Sequence, residues 1–305
     1  MEITRKVILA LLPIGLGLVL RWIGLFRDEE GGLLRKFVVR FTVPLFVFFS
    51  VYEARPESIA AIGPMIGAFV AMTAVLFAVG WAAASLFRKP ASRAAVHACI
   101  TFGNYGWIGL GVAHAVLGAP GSQRIVYFIL LWWPVFYAFG LPIGFIHLGK
   151  QRGGVPVRKA VATATPPIAA MLIGLMLNQR GMAVPPLITE VLKPFGDMTV
   201  PLILFSVGVM LDFSRITASV GPALLISAVT LLVGPLIGWG LAALLARDSV
   251  SYQAIILAGA MPVATMTPVL EESYEMDKDL VSTAIVLSTA VSLVTVPAVA
   301  AIITG

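Results

Sequence analysis

Along this chain apolar residues run in long stretches, and the polar ones gather into short clusters between them. Crossing the hydrocarbon core of a bilayer as helix takes about 20 mostly apolar residues. Runs of that kind fall near residues 6–26, 33–52, 59–87, 94–117 and 124–148. After the polar stretch Lys150 to Lys159 they resume near 160–178, 186–211, 218–246, 251–270 and 280–303. The pattern predicts an all-α integral membrane protein of ten transmembrane helices, divided into residues 1–149, a central cytoplasmic linker over 150–159, and residues 160–305. The first run follows Arg5-Lys6 as a signal peptide would. It continues past Trp22 to Phe26 with no small-residue cleavage site, so it reads as a membrane helix.

The two halves echo each other. Thr42-Val43-Pro44-Leu45 returns as Thr199-Val200-Pro201-Leu202, at an offset of 199 − 42 = 157. Gly63-Pro64 returns as Gly221-Pro222 (221 − 63 = 158), and Pro142 as Pro297 (297 − 142 = 155). Five spans per half is an odd number, so the second half would enter the membrane from the opposite side. Such inverted repeats recur in secondary transporters, where they supply two related conformations open to alternate sides. Lysine and arginine concentrate on the side that carries Arg21, Arg27, Arg35, Lys36, Arg88, Lys89, Arg93, Lys150, Arg152, Arg158, Lys159, Arg215 and Lys278. The positive-inside rule makes that side cytoplasmic and both termini extracytoplasmic, in a cell inner membrane. Arg5 and Lys6 argue locally against this.

Composition sharpens the class. Of 305 residues 59% are hydrophobic and 12% charged, against about 45–50% and about 25% in soluble domains; lipid is the solvent that suits such a surface. The net charge of +6 is dispersed among the loops and forms no basic face, which excludes a nucleic-acid partner. The single cysteine, Cys99, excludes an intramolecular disulfide framework. His97, His114 and His147 are too scattered for a metal set, and there is no nucleophile elbow, HExxH or Walker A loop. No cofactor and no catalysis are expected, and any energy would come from a gradient.

The fourth and ninth spans are the unusual ones. Thr101 to Gly111 holds Gly103, Gly106, Gly109 and Gly111, each weakening a helix by about 1 kcal/mol relative to alanine. Met261 to Pro268 holds Pro262 and Pro268, which remove amide donors and clash with the preceding turn. Tyr105 and Pro262 are 262 − 105 = 157 apart, so both interruptions occupy the same place in their repeats. Unwound backbone at membrane depth is tolerated only where it is buried in protein or lines a wet cavity. Two such breaks would aim half-helix N-termini at one point and bind an anion without a formal cation. The expected binding residues are Gly103, Asn104, Tyr105, Gly106, Pro262, Val263 and Thr265, with Asn104 donating its amide and Thr265 its hydroxyl. The glycines could equally serve close helix packing. Arg40 and Asp197 are repeat equivalents (197 − 40 = 157) that would either pair or snorkel to water. Together with His97 they are the candidates for proton or ion coupling. Glu271 and Glu272 read as a solvated loop.

At these residues the chain resembles the auxin efflux carrier family, whose bacterial members include malate and malonate permeases. Gly103-Asn104-Tyr105-Gly106-Trp107-Ile108-Gly109-Leu110 is similar to that family's GN-x-G-aromatic-x-G-L signature. Pro167 through Gly174 to Pro201 and Gly208 follow its pattern, as do Met261-Pro262, Tyr274, Asp277, Leu287-Ser288-Thr289 and Pro297. The resemblance implies a fold like the bile-acid sodium symporters. Spans one, two, six and seven would form a scaffold, and spans three to five and eight to ten a transport domain whose fourth and ninth members cross at the substrate. It also implies elevator-like movement, often within a homodimer. Thr265 stands where family members often have Asn, and the break has no acid where the bile-acid relatives hold sodium with glutamate. Proton coupling or uniport is therefore expected over sodium coupling. The function expected is transport of a small organic anion, with a sodium-coupled symporter of a bulkier anion, a membrane-embedded enzyme and a non-transporting sensor as the competing classes.

Overall fold

The computed structural model describes residues 2–54, 59–149, 157–211 and 219–304. Among them the chain is helical, and the one β-bridge joins Gly103 to Val263. Lys150, Arg152 and most of the linker lie outside the described residues, as do the side chains of Arg5, Lys6, Glu271 and Glu272.

The helices follow the apolar runs. Helix α1 spans Glu2–Trp22, α2 Asp28–Phe37, α3 Val43–Tyr52 and α4 Ile62–Ala84. Helices α5 (Pro90–Thr101) and α6 (Leu110–Phe128) flank the first interruption, and α7 covers Trp132–Leu148. In the second half come α8 (Val157–Gln179), α9 (Pro186–Asp197), α10 (Thr199–Met210), α11 (Val220–Ala228) and α12 (Gly234–Leu245). Helices α13 (Ser249–Gly259) and α14 (Pro268–Tyr274) flank the second interruption, and α15 (Lys278–Thr304) closes the chain. Gly118, at φ 69 and ψ −161, kinks α6 just past residue 117, where the fourth apolar run ends.

Prolines shape these helices from within. A proline ring clashes with the turn before it and leaves a carbonyl without its donor. The helix answers at Pro44 and Pro235 by widening the preceding turn, over Val38–Thr42 and Val229–Val233. Hydroxyls fill in: Thr42 Oγ1 donates to the Val38 carbonyl at 3.3 Å, and Thr230 Oγ1 to that of Ile226 at 3.0 Å. Helix α13 opens on Asp248, whose carboxylate accepts from the Ser251 amide at 2.9 Å.

Among the described residues four helical stretches are by themselves long and apolar enough to cross a bilayer: Ile62–Ala84, Pro186–Met210, Val220–Leu245 and Lys278–Thr304. The bent pair Tyr105–Phe128 and Trp132–Leu148, at 46°, would make a fifth. The fourth and ninth apolar runs give no continuous helix of that length, because Gly and Pro interrupt them. Outward faces carry large apolar side chains, such as Leu244 at 78% and Val294 at 74% exposure, which only lipid would cover.

Helix pairs cross tightly at glycine, and some of these crossings repeat through the chain. A Cβ on Gly17 of α1 would meet the Phe205 carbonyl of α10 at 2.3 Å, and one on Gly174 of α8 the Phe48 carbonyl of α3 at 2.8 Å. The partners are related by 174 − 17 = 157 and 205 − 48 = 157. Beside them Arg21 donates to the Val209 carbonyl at 2.7 Å, and Asn178 to that of Tyr52 at 2.7 Å, again with 178 − 21 = 157 and 209 − 52 = 157. Gly80 against the His97 carbonyl and Gly238 against that of Ile255 form a further such couple (238 − 80 = 158; 255 − 97 = 158).

Candidate functional site

The two interruptions meet. Helix α5 ends at Thr101, and the chain runs extended through Phe102 before a wide turn over Tyr105–Gly109 restarts helix. Helix α13 ends at Gly259, and helix resumes at Pro268. Between them the Asn104 amide donates to the Pro262 carbonyl at 2.7 Å, and the Ala264 amide to that of Phe102 at 2.8 Å. The Val263 amide donates to Ser288 Oγ of α15 at 3.1 Å. Backbone donors freed by Gly and Pro are therefore paired across the crossing. This corrects the expectation of free amides at that point: unsatisfied donors at this depth are costly, and the two breaks satisfy each other. The first turn of the restarted helix, at Gly106 and Trp107, does face open space, and first-turn amides lack intrahelical partners.

That space is a cavity of about 140 Å³, an order of magnitude more than one water needs. Gly103, Asn104, Tyr105 and Gly106 line it. Pro262 and Val263 sit in the crossing behind them. Thr265 is not on the wall; Ala264 and Met266 are. Thr265 opens the turn that leads into α14 and is half-buried. The other walls were not foreseen. Val43, Phe46 and Val47 come from α3, Ile203 from α10 and Pro167 from α8, while Trp132 and Trp133 come from the start of α7. Aromatic rings back the crossing: Tyr105 stands edge-on to Phe128 at 5.3 Å and to Trp132 at 6.0 Å.

The wall is mostly apolar, and the Tyr105 hydroxyl on it has no partner. Asn104 is polar too. It is 1% exposed, and neither its Oδ1 nor its Nδ2 has a hydrogen-bond partner. Leaving a buried amide unpaired costs about 1–3 kcal/mol, and no described protein group offsets that cost here. No formal charge lines the cavity. Glycine spacing also serves packing: a Cβ on Gly103 would strike the Tyr105 ring at 2.4 Å, and one on Gly111 would meet Leu204 at 2.5 Å.

The remaining candidates divide. Arg40 and Asp197 are both exposed, and no ion pair joins them among the described residues. His97 is fully buried and bonded to His147, a partner 50 residues away that periodicity does not reveal. His114 is exposed and lies 3.3 Å from Ser122 Oγ. The ends of the crossing helices are tied by polar groups. Arg124 donates to Ser251 Oγ at 2.9 Å and pairs with Asp248 at 3.5 Å. At the other end Ser92 donates to Asp277 at 2.7 Å. Partial burial pushes the Asp248 carboxyl up, but hydrogen bonds from Ser251 and the Arg124 guanidinium outweigh it and hold that carboxyl below its ordinary value.

Lipid-facing helices, with two interrupted ones meeting beside a cavity, fit a protein that passes a solute through a bilayer. The chain matches the model of the membrane transport protein family over residues 3–153 and 156–300, and it belongs to that family, the auxin efflux carriers. It is similar to an uncharacterized transporter of Methanothermobacter thermautotrophicus, 27% identical over 302 residues and covering 96% of each chain. An uncharacterized transporter of Methanocaldococcus jannaschii is 25% identical over 305 residues, covering 95% of each. The protein is a multi-pass membrane transporter.

Proposed function

We propose that the protein carries a small organic acid with one carboxylate and an apolar body, bound at the crossing by Asn104. The observation that carries this is the pair of unpartnered amide atoms on Asn104, buried against the cavity. An amide Nδ2 can donate to a carboxylate, and the first-turn amides at Gly106 and Trp107 lie on the same wall. Both sit at the positive end of a helix. The rest of the wall is aliphatic and aromatic. Beyond Asn104 it offers the unpartnered Tyr105 hydroxyl, which offsets less of the desolvation of a second carboxylate than a charged group would, so a ring-bearing monocarboxylate is favoured over a dicarboxylate such as malate.

In this reading ten spans form two inverted halves of five, and the contacts repeated at an offset of 157 residues support that symmetry. Spans three to five with eight to ten would move as a transport domain against spans one, two, six and seven. Cavity walls drawn from α3, α8 and α10 as well as from the crossing are what such a boundary requires. The absence of an acidic side chain on the cavity wall favours a proton-coupled or uncoupled carrier over sodium symport.

The test is thermal stabilisation of the purified protein by phenylacetate, benzoate, malonate and malate. A ligand that binds the folded state alone raises the melting temperature by mass action. Phenylacetate or benzoate is expected to stabilise the wild type and to have no effect on Asn104→Ala. Equal stabilisation of both proteins, or stabilisation by the dicarboxylates alone, would refute the assignment.

A further inference from the structure

We propose that His97 and His147 form a single-proton site that charges the crossing for its anion. The inference rests on the reading of the cavity as an anion site, and it names the missing positive charge. No cavity-lining side chain carries a charge. Along α5 the side chain able to become a cation closest to the break is His97, 104 − 97 = 7 residues before Asn104.

The geometry assigns the protons. His97 Nε2 lies 2.9 Å from the Phe77 carbonyl of α4, which can only accept, so Nε2 carries hydrogen. His97 Nδ1 must then accept, and its partner at 3.0 Å is His147 Nε2 of α7, which donates. The outer His147 Nδ1 is left as the free basic nitrogen, on a half-buried side chain in the last turn of α7. Protonation there gives an imidazolium that donates into His97. A second proton would place two charges on rings 5.2 Å apart, so the pair holds one. The His97 carbonyl accepts from Thr101 Oγ1 at 2.7 Å, at the last residue of α5 before the chain unwinds toward Asn104.

Several helices pack around the pair. Helix α4 brings only the Phe77 carbonyl, the Phe77 ring and Gly80 against His97. Helix α11 contributes no titratable residue. Helix α7 adds Tyr137 besides His147, α14 brings Tyr274 against Gly144, and α15 carries Lys278 and Asp279 in its first turn. Arg93 on α5 acts on His147 as a like charge, and Asp277, bonded to Ser92, supplies the nearest described acid at this end. The His147→Asn variant separates a pH effect of the pair from one of these groups. The sign follows: proton uptake favours a carboxylate at the crossing, and by reciprocity the carboxylate favours the proton.

The experiment uses full-length His114→Asn protein in lipid nanodiscs, so that both remaining imidazoles belong to the pair. Imidazole ¹⁵N NMR is followed from about pH 8 to about pH 5, alongside thermal stabilisation by phenylacetate. One proton shared by two rings is expected, with phenylacetate affinity rising about tenfold across the range. His147→Asn should abolish that rise while binding at about pH 8 persists. Two independently titrating rings, no proton uptake, or a pH effect unchanged in His147→Asn would each overturn the proposal. A one-proton titration without carboxylate binding at any pH would keep the proton site and refute the anion cavity instead; carboxylate binding without a shared proton does the reverse.

Discussion

Single residues at the crossing trade stability for binding. Asn104 holds two buried polar atoms without partners, and replacing it with leucine removes both. Asn104→Leu is expected to leave the protein as stable as the wild type or more so, by about 1 kcal/mol, while ending carboxylate-dependent flux in proteoliposomes. A variant that lost stability together with flux would mark Asn104 as structural. Gly103 behaves oppositely, because a Cβ there would stand 2.4 Å from the Tyr105 ring. Gly103→Ala should cost about 1–3 kcal/mol in detergent unfolding through that clash. The sequence exposes Gly103 and Asn104 as neighbours in one interruption. Their contrary roles depend on what the fold packs against each: the Tyr105 ring against Gly103, and no polar partner against the Asn104 amide.

At the scale of helices, the interruptions are legible because their causes are local. Glycine lowers helix propensity and proline deletes a donor, whatever surrounds them. The widened turns before Pro44 and Pro235 are equally local. How the freed amides find partners is not, since the Asn104 amide bonds a carbonyl on a segment more than a hundred residues away. The start of α13 carries a testable ion pair. The Asp248 carboxyl titrates below its unfolded value. Its contribution is therefore complete above the ordinary carboxylate pKa, about 3.9, and is lost as pH falls through the lower folded value. Asp248→Ala should lower stability at neutral pH by about 1–2 kcal/mol, and the difference from wild type should vanish in strong acid. Melting curves across that pH range check both halves of the statement.

For the whole molecule, matched contacts in the two halves make a prediction about symmetry. Gly17 and Gly174 each seat a helix against a carbonyl of its partner. Gly17→Val and Gly174→Val should each destabilise the protein by about 1–3 kcal/mol, since overpacking at a backbone contact has no side chain to displace. Melting temperatures of the two variants measured side by side would reveal whether only one crossing matters, as an asymmetric fold would have it. Gly80, wedged against the His97 carbonyl, ties the same crossing pattern to the histidine pair.

The sequence by itself determined that this is a helical membrane protein interrupted twice at related places, with Asn104 at the first interruption. Apolar run length, glycine and proline act on the chain nearest to them, so these features survive in a one-dimensional reading. Only the tertiary structure decided that Ala264 and Met266, not Thr265, face the cavity. It alone joined His97 to His147 and left Arg40 and Asp197 exposed and unjoined. Those outcomes depend on the rotation of each helix and on which distant surface it packs against. That rotation is set by the summed fit of many side chains, which no single segment of sequence contains.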